Sequence, residues 1–233
     1  MKFVLGILLG IIPALDTQQS YVGSAVAQSG GMVLYAEEHE EFYEDGRRIR
    51  LNTIFRSQEQ GVLATRSVDF SRNPFLPDFV MEDRRTGYLE GAEMTTGGIR
   101  LFVRRNKLEG TRDAIIPLEK AMVVDAGFNN FIQAHWDSLI TGNKLFMKFG
   151  VPARLDSYGF RVYRDGETLV NGKRAFLVKC DIDNFILRLF LDPIMLTYDS
   201  ESRRLLVYEG ISNISNERGE NHVVKIMYQP YGP

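Results

Sequence analysis

The sequence is short of the residues from which disulfides, metal sites and common catalytic motifs are built. It contains one cysteine, Cys180, so no disulfide can form within the chain. Three histidines, His39, His135 and His222, lie far apart, and no Cys-x-x-Cys or His-Glu-x-x-His pair is present. The Gly-x-Ser-x-Gly nucleophile motif and Gly-rich phosphate loops are also missing. We therefore expect no cofactor and no metal, and a binding or structural protein rather than an enzyme.

A strong charge of one sign is lacking as well. The chain has 28 Lys and Arg against 30 Asp and Glu, which leaves a formal net charge of −2. Basic residues are scattered among acidic ones and form no cluster. Such a chain produces no strong field for nucleic acid or for anionic lipid head groups, so we expect no nucleic-acid partner.

The first part of the chain has the pattern of a secretory signal peptide. One lysine precedes the apolar run from Phe3 to Leu15, and Ala25-Val26-Ala27 places small residues at the −3 and −1 positions of a cleavage site. The alternative is a membrane anchor that is never removed, but this run contains Pro13 and is shorter than the roughly 20 residues that span a bilayer. We predict a signal peptide at residues 1–27, a periplasmic location, and a single mature domain, 28–233, without a transmembrane span.

Beyond this segment the sequence is a series of short strand patterns separated by turn residues. Asp45-Gly46 lies between two alternating runs and predicts a type I′ hairpin, and Asn171-Gly172 predicts another. Short connections throughout favour antiparallel pairing. We predict a mostly β fold with one main helix (α+β), in which a large curved antiparallel sheet or half-barrel packs on a central amphipathic helix.

The helix is predicted near residues 128–141, the one long stretch with clean helical periodicity. Asp125 is the expected N-cap and Gly142 the expected stop. Apolar and aromatic side chains recur at spacings of three and four and form one face that should pack on the sheet. This face consists of Phe128, Phe131, Ile132, His135, Trp136, Leu139 and Ile140.

Glu37, His39 and Glu41 alternate along one face of a predicted strand. The predicted hairpin places Arg50 opposite Glu41 and Asn52 opposite His39. The three side chains are either ligands of a divalent metal or part of a solvated, charge-paired face. Neighbours on one strand face are roughly 6.5–7 Å apart, which is wide for a single ion. We therefore predict the solvated face.

Aromatic and apolar residues are plentiful, with 15 Phe, 10 Tyr and 8 Met. Two predicted strands, Leu145–Phe149 and Phe185–Leu191, are apolar on both faces, which is typical of a strand that is covered on both sides. The concave side of the sheet is then either solid core or the wall of an apolar cavity. The candidate wall residues are Phe128, Phe131, His135, Trp136, Phe146, Phe149, Phe185 and Leu189.

Three functional hypotheses follow. The leading one is a periplasmic protein that binds a hydrophobic small molecule or an envelope lipid between helix and sheet. The first alternative is a non-enzymatic structural or interaction protein that docks on another protein of the cell envelope. The second alternative is a hydrolase centred on His135, which lies on the apolar helix face.

Several short motifs resemble uncharacterised envelope proteins of Gram-negative bacteria. These are Val124–Phe128, the helix end from Trp136 to Gly142, Leu196–Asp199, and Tyr208–Asn213. More loosely, a signal peptide, an antiparallel meander and a central helix are similar to the periplasmic lipoprotein-localisation carriers. That likeness implies a curved half-barrel that shelters acyl chains, although this chain has one predicted helix where the carriers have several.

Overall fold

The computed structural model describes residues 17–28, 31–59, 61–184, 192–216 and 219–229. These residues form one sheet of fifteen strands and two helices, α1 (Gly127–Ala134) and α2 (Trp136–Ile140), with a short 3₁₀ turn at Pro152–Arg154. The strands are β1 (Thr17–Ala27), β2 (Val33–Glu44), β3 (Arg47–Arg56), β4 (Val62–Asp69), β5 (Asp78–Asp83), β6 (Tyr88–Thr95), β7 (Gly98–Arg104), β8 (Arg112–Ile116), β9 (Met122–Val124), β10 (Leu145–Val151), β11 (Asp156–Val170), β12 (Lys173–Ile182), β13 (Ile194–Asp199), β14 (Leu205–Ser215) and β15 (Asn221–Tyr228).

The sheet is a meander in which strands that are consecutive in sequence pair side by side, and β1 pairs with β15 to join its two halves. Among these strands only the β9–β10 pair is parallel. The sheet curls without closing: β8 and β9 are its edges, and β8 comes into contact with β11. The prediction of a large curved antiparallel sheet is confirmed. No helix in the described part of the chain is long and apolar enough to cross a membrane.

The two helices pack against the concave side of β10–β13, as predicted for the aromatic face. Phe131, Ile132, Trp136 and Leu139 are buried in one cluster with side chains of those strands. The helix breaks at His135, which ends α1 and precedes α2. Helix burial rather than intrinsic propensity holds these short segments in place, since helices of this length are unstable alone in water.

The residue predicted to end the helix is correct, and the residue predicted to cap its start is wrong. Gly142 has φ +98° and its N–H donates to the Leu139 carbonyl, so it stops α2 as expected. Asp125 is not the N-cap: Ala126 holds that position, without a side-chain cap. The Asp125 carboxylate forms an ion pair with Arg66 instead, because the chain enters the helix with Asp125 turned toward the sheet at φ +40°.

The first hairpin turns at Asp45-Gly46 as predicted, but its register is wrong beyond the turn. An irregularity between Phe42 and Tyr43 shifts the pairing by one residue. Glu41 therefore lies opposite Leu51 and not Arg50, and His39 lies opposite Thr53 and not Asn52. A bulge of this kind gives every later residue a different partner, so two residues that were expected to lie opposite each other instead lie on opposite faces of the sheet.

Strand β10 is not covered on both sides, contrary to the prediction for Leu145–Phe149. Leu145 and Met147 point into the core, whereas Phe146 is 56% exposed on the outer face. The second strand for which double coverage was predicted, 185–191, lies outside the described residues.

Candidate functional site

The curved sheet and the helices line a cavity of about 2270 Å³ that opens to solvent, and we call it the lumen. Ligand pockets in proteins usually measure about 300–1,000 Å³, so the lumen has room for a molecule larger than a typical metabolite. Its wall is chemically divided. Polar side chains dominate on β1–β6 and β15, and apolar side chains dominate where Phe128 of α1 lies near β10, β11, β13 and β14.

The polar side is organised by a row of cross-strand partners that we call the polar belt. Residues directly opposite each other on paired strands share one face of a sheet, so the row runs across six strands on the concave side. The belt consists of the polar or ionisable residues Tyr21, His39, Thr53, Arg66 and Glu90, with the apolar Met81 between Arg66 and Glu90.

His39 is the centre of a hydrogen-bonded chain in this belt. Its Nδ1 lies 3.0 Å from the Thr53 hydroxyl and its Nε2 lies 3.0 Å from a Glu37 carboxylate oxygen, which also accepts a bond from the Tyr228 hydroxyl at 3.3 Å. The Tyr21 ring stacks on the imidazole with centroids 4.3 Å apart. These contacts fix the orientation of the imidazole ring.

The prediction of a solvated face for Glu37, His39 and Glu41 is wrong, because these residues are only 6%, 4% and 4% exposed. The alternation correctly places them on one strand face, and that face points into the lumen. In the described part of the chain, no three His, Cys, Asp or Glu side chains come together as a metal site.

Two arginines connect the polar side of the lumen to the start of α1. Arg48 pairs with Glu41 and donates to the Asn130 side-chain oxygen at 2.6 Å. Arg66 Nη1 donates to Asp125 Oδ1 at 3.1 Å. Arg66 Nε and Asp125 Oδ2 are also buried, but neither has a hydrogen-bond partner among the described residues. A buried donor and a buried acceptor thus remain unpaired in the lumen wall.

Glu90 closes the belt on β6. Its carboxyl faces the lumen and accepts a hydrogen bond from the Tyr88 hydroxyl at 2.8 Å. Burial raises the pKa of Glu90 to about 7, against the lowering effect of the Tyr88 bond. Near neutral pH this carboxyl is therefore partly protonated, and it adds less negative charge to the lumen than an ordinary glutamate.

The apolar side of the lumen holds some of the residues predicted to form a wall. Phe128 and Phe149 are half-buried, line the lumen and touch edge to face with ring centroids 6.2 Å apart. Phe160 extends this group, with its ring 6.0 Å from that of Phe149. Further half-buried side chains of the apolar wall are Ile194, Leu205 and Tyr208.

The other predicted wall residues are placed elsewhere. Phe131 and Trp136 lie in the solid core beneath the lumen, and Phe146 points outward. His135 is half-buried against the Phe131 ring, and its Nδ1 lies 2.8 Å from the Phe131 carbonyl oxygen. Phe185 and Leu189 are outside the described residues.

Comparison with solved structures shows a likeness over almost the whole chain. A beta-barrel-like protein of the domain of unknown function DUF1849 from Brucella abortus superposes with a TM-score of 0.55 and 8% sequence identity, covering 91% of this chain and 96% of that one. The likeness is one of fold. No family model matches the chain, and no curated protein matches it.

This likeness agrees with the coarser part of the sequence resemblance, a barrel-like protein whose family has no assigned function. It does not show similarity to the lipoprotein-localisation carriers, and that finer resemblance stays a prediction.

Sequence reasoning missed the polar belt, although a signal for it is present. Leu51 and Phe55 are apolar and share a strand face with Thr53, so the partners of that face on β2 belong inside. The register predicted from an ideal two-residue turn placed the charged Arg50 opposite Glu41, which indicated a solvated face instead of a buried one. Recognition of a bulge near the turn would have directed Glu37, His39 and Glu41 to the interior.

Proposed function

We propose that this protein is a non-enzymatic binding protein that holds an amphiphilic, lipid-like molecule in the lumen. The observation that carries the proposal is an unfilled interior with one polar and one apolar wall. Half-buried rings such as Phe128, Phe149 and Phe160 present apolar surface to this space. Covering such surface with an acyl chain is favourable by about 25 cal/mol for each Å² removed from water.

A structural role in the cell envelope is less well supported, because it requires no internal volume. A molecule that serves only as a docking platform is expected to pack its concave side, as most protein interiors do. The side chains around a lumen of about 2270 Å³ lack the contacts of a packed interior, and a bound ligand would supply them.

A hydrolase centred on His135 is not supported, because the Nδ1 atom of this ring lies within hydrogen-bond distance of the Phe131 carbonyl oxygen. The series Thr53, His39 and Glu37 does combine hydroxyl, imidazole and carboxylate. Thr53 is only 1% exposed and is not part of the lumen wall, so its hydroxyl has no access to a substrate. A nucleophile must reach the reacting atom, and this arrangement instead positions the His39 ring.

We expect the purified protein to bind a fluorescent acyl-chain probe in the lumen. We also expect organic extraction followed by mass spectrometry to recover a co-purified lipid-like molecule. Phe149→Glu should weaken probe binding by about tenfold or more, since it places a charge in the apolar wall. Phe146→Glu is the matched control on the outer face of the same strand and should leave the affinity unchanged.

Unfolding midpoints of both variants must be measured, so that lost binding is separated from lost folding. Phe128→Gln provides a second wall variant if Phe149→Glu does not fold. A wild-type protein that binds no acyl probe and carries no extractable molecule would refute the proposal. Intrinsic Trp136 fluorescence is a poor reporter here, because that ring lies in the solid core and not in the lumen wall.

A further inference from the structure

The Arg66–Asp125 pair has the properties of an unfilled polar subsite. The two side chains are only 15% and 7% exposed, and both line the lumen. One bond joins them, Nη1 to Oδ1 at 3.1 Å, while Arg66 Nε and Asp125 Oδ2 have no partner in the described residues. Buried polar atoms are almost always hydrogen-bonded in folded proteins. Both side chains line the lumen, so a rotation of either one would bring these covered atoms to a polar group that the lumen receives.

The chemistry of that group follows from what the two atoms need. Arg66 Nε is a donor and requires an acceptor, whereas Asp125 Oδ2 is an acceptor and requires a donor. A hydroxyl supplies both functions from one atom. A carboxylate or phosphate satisfies Arg66 but is repelled by Asp125, and an ammonium group satisfies Asp125 but is repelled by Arg66.

The surrounding charges favour the same conclusion. Arg48 is already paired with Glu41, and Glu37 is held by His39 and Tyr228. A head group without charge avoids the cost of bringing an unpaired ion into a buried site.

We propose that the bound amphiphile has an uncharged, hydroxylated head group, such as a glycerol ester or a glycoside, whose hydroxyls bind between Arg66 and Asp125. This inference rests on the proposed function and adds the ligand class. The acyl chain then lies along the apolar wall near Phe128 and Phe149.

A competition series on the wild-type protein tests the inference. Monolauroylglycerol, a lauryl glucoside, laurate and laurylamine carry chains of one length and differ in the head group. The two hydroxylated compounds should displace the acyl probe about tenfold more tightly than the carboxylate or the amine. Laurate or laurylamine binding as tightly as the hydroxylated compounds would overturn the inference while leaving the proposed function intact. If none of the four binds, both are overturned.

Asp125→Asn sharpens the test, because it keeps the size of the side chain and removes the charge that balances Arg66. Laurate should then gain at least about tenfold relative to monolauroylglycerol. Asp113→Asn is the matched control, because Asp113 pairs with Arg100 on the exposed surface and should not change the order. An unchanged head-group order in a folded Asp125→Asn protein would contradict the subsite. If this variant does not fold, the wild-type series decides alone.

An independent observation concerns the start of the chain. Strand β1 lies between β2 and β15 with ten residues in register on one side and five on the other. Ala25 is fully buried, and Gly23 packs so closely under the Tyr228 ring that a Cβ would lie 2.8 Å from it. Without β1 the sheet would separate into two halves with two new open edges, which is an aggregation hazard.

We infer that the working protein keeps Thr17–Ala27, so that removal of an export signal occurs before Thr17 and not after Ala27. The intact mass of the protein isolated from a producing bacterium should correspond to an N-terminus at or before Thr17. Gly23→Val should also lower the thermal midpoint by several degrees, because of the contact with Tyr228. Isolation of a folded protein that begins at Gln28 would overturn the inference. An unchanged midpoint for Gly23→Val in a chain that retains Thr17–Ala27 would also overturn it.

Discussion

Replacing Trp136 with alanine is expected to lower the free energy of unfolding by about 3–5 kcal/mol, the usual cost of removing a buried large aromatic side chain. Trp136 is only 2% exposed, and its ring lies 5.8 Å from that of Phe176 and 5.7 Å from that of Tyr198. It holds α2 against β12 and β13, so the loss also loosens the helix. Urea unfolding followed by circular dichroism measures the difference.

The control for this experiment is Phe146→Ala on β10. Phe146 is also a large aromatic residue, but it is 56% exposed on the outer face. Its removal should change the free energy of unfolding by no more than about 0.5 kcal/mol. If the two variants lose similar stability, the placement of the helix under the sheet is wrong.

Replacing Arg66 with methionine is expected to lower the free energy of unfolding by about 3–5 kcal/mol, because it leaves the Asp125 carboxylate buried without its cation. A second change, Asp125→Asn, removes that stranded charge and should recover most of the loss. Asparagine also tolerates the positive φ of this position. Chemical denaturation of the single and double variants measures the coupling between the two side chains.

Arg100→Met is the matched control for Arg66→Met. Arg100 pairs with Glu93 and Asp113, but all three side chains are at least one-third exposed. Exposed pairs contribute roughly 0–1 kcal/mol, so this variant should be nearly neutral. If Arg66→Met costs no more than Arg100→Met, then water in the lumen screens the inner pair, and the case for a dehydrated subsite fails.

Much of the fold was predictable, because it depends on local patterns. Apolar residues at spacings of three and four placed the helix within one or two residues of its observed ends. Asp45-Gly46 located the first turn, because few residue pairs adopt the positive φ angles that this turn requires. Short connections between strands implied an antiparallel meander, which is the observed topology.

The candidate site was less predictable, because its residues come from distant parts of the chain. Arg66 and Asp125 are 59 positions apart, and Arg48 and Asn130 are 82 apart. Their approach depends on how far the sheet curls around α1, which no local pattern encodes. Phe131 and Phe149 show the same limit: both were predicted wall residues, yet only Phe149 faces the lumen.

The sequence by itself determined which side chains share a strand or helix face, because the periods of two and 3.6 residues follow from backbone geometry. Only the tertiary structure decided which face lies inside. A one-residue shift near Phe42 and the curvature of the sheet turned Glu37, His39 and Glu41 from an expected outer surface into the wall of the lumen. Curvature and register arise from contacts summed over all fifteen described strands, and that sum cannot be obtained from any single stretch of the chain.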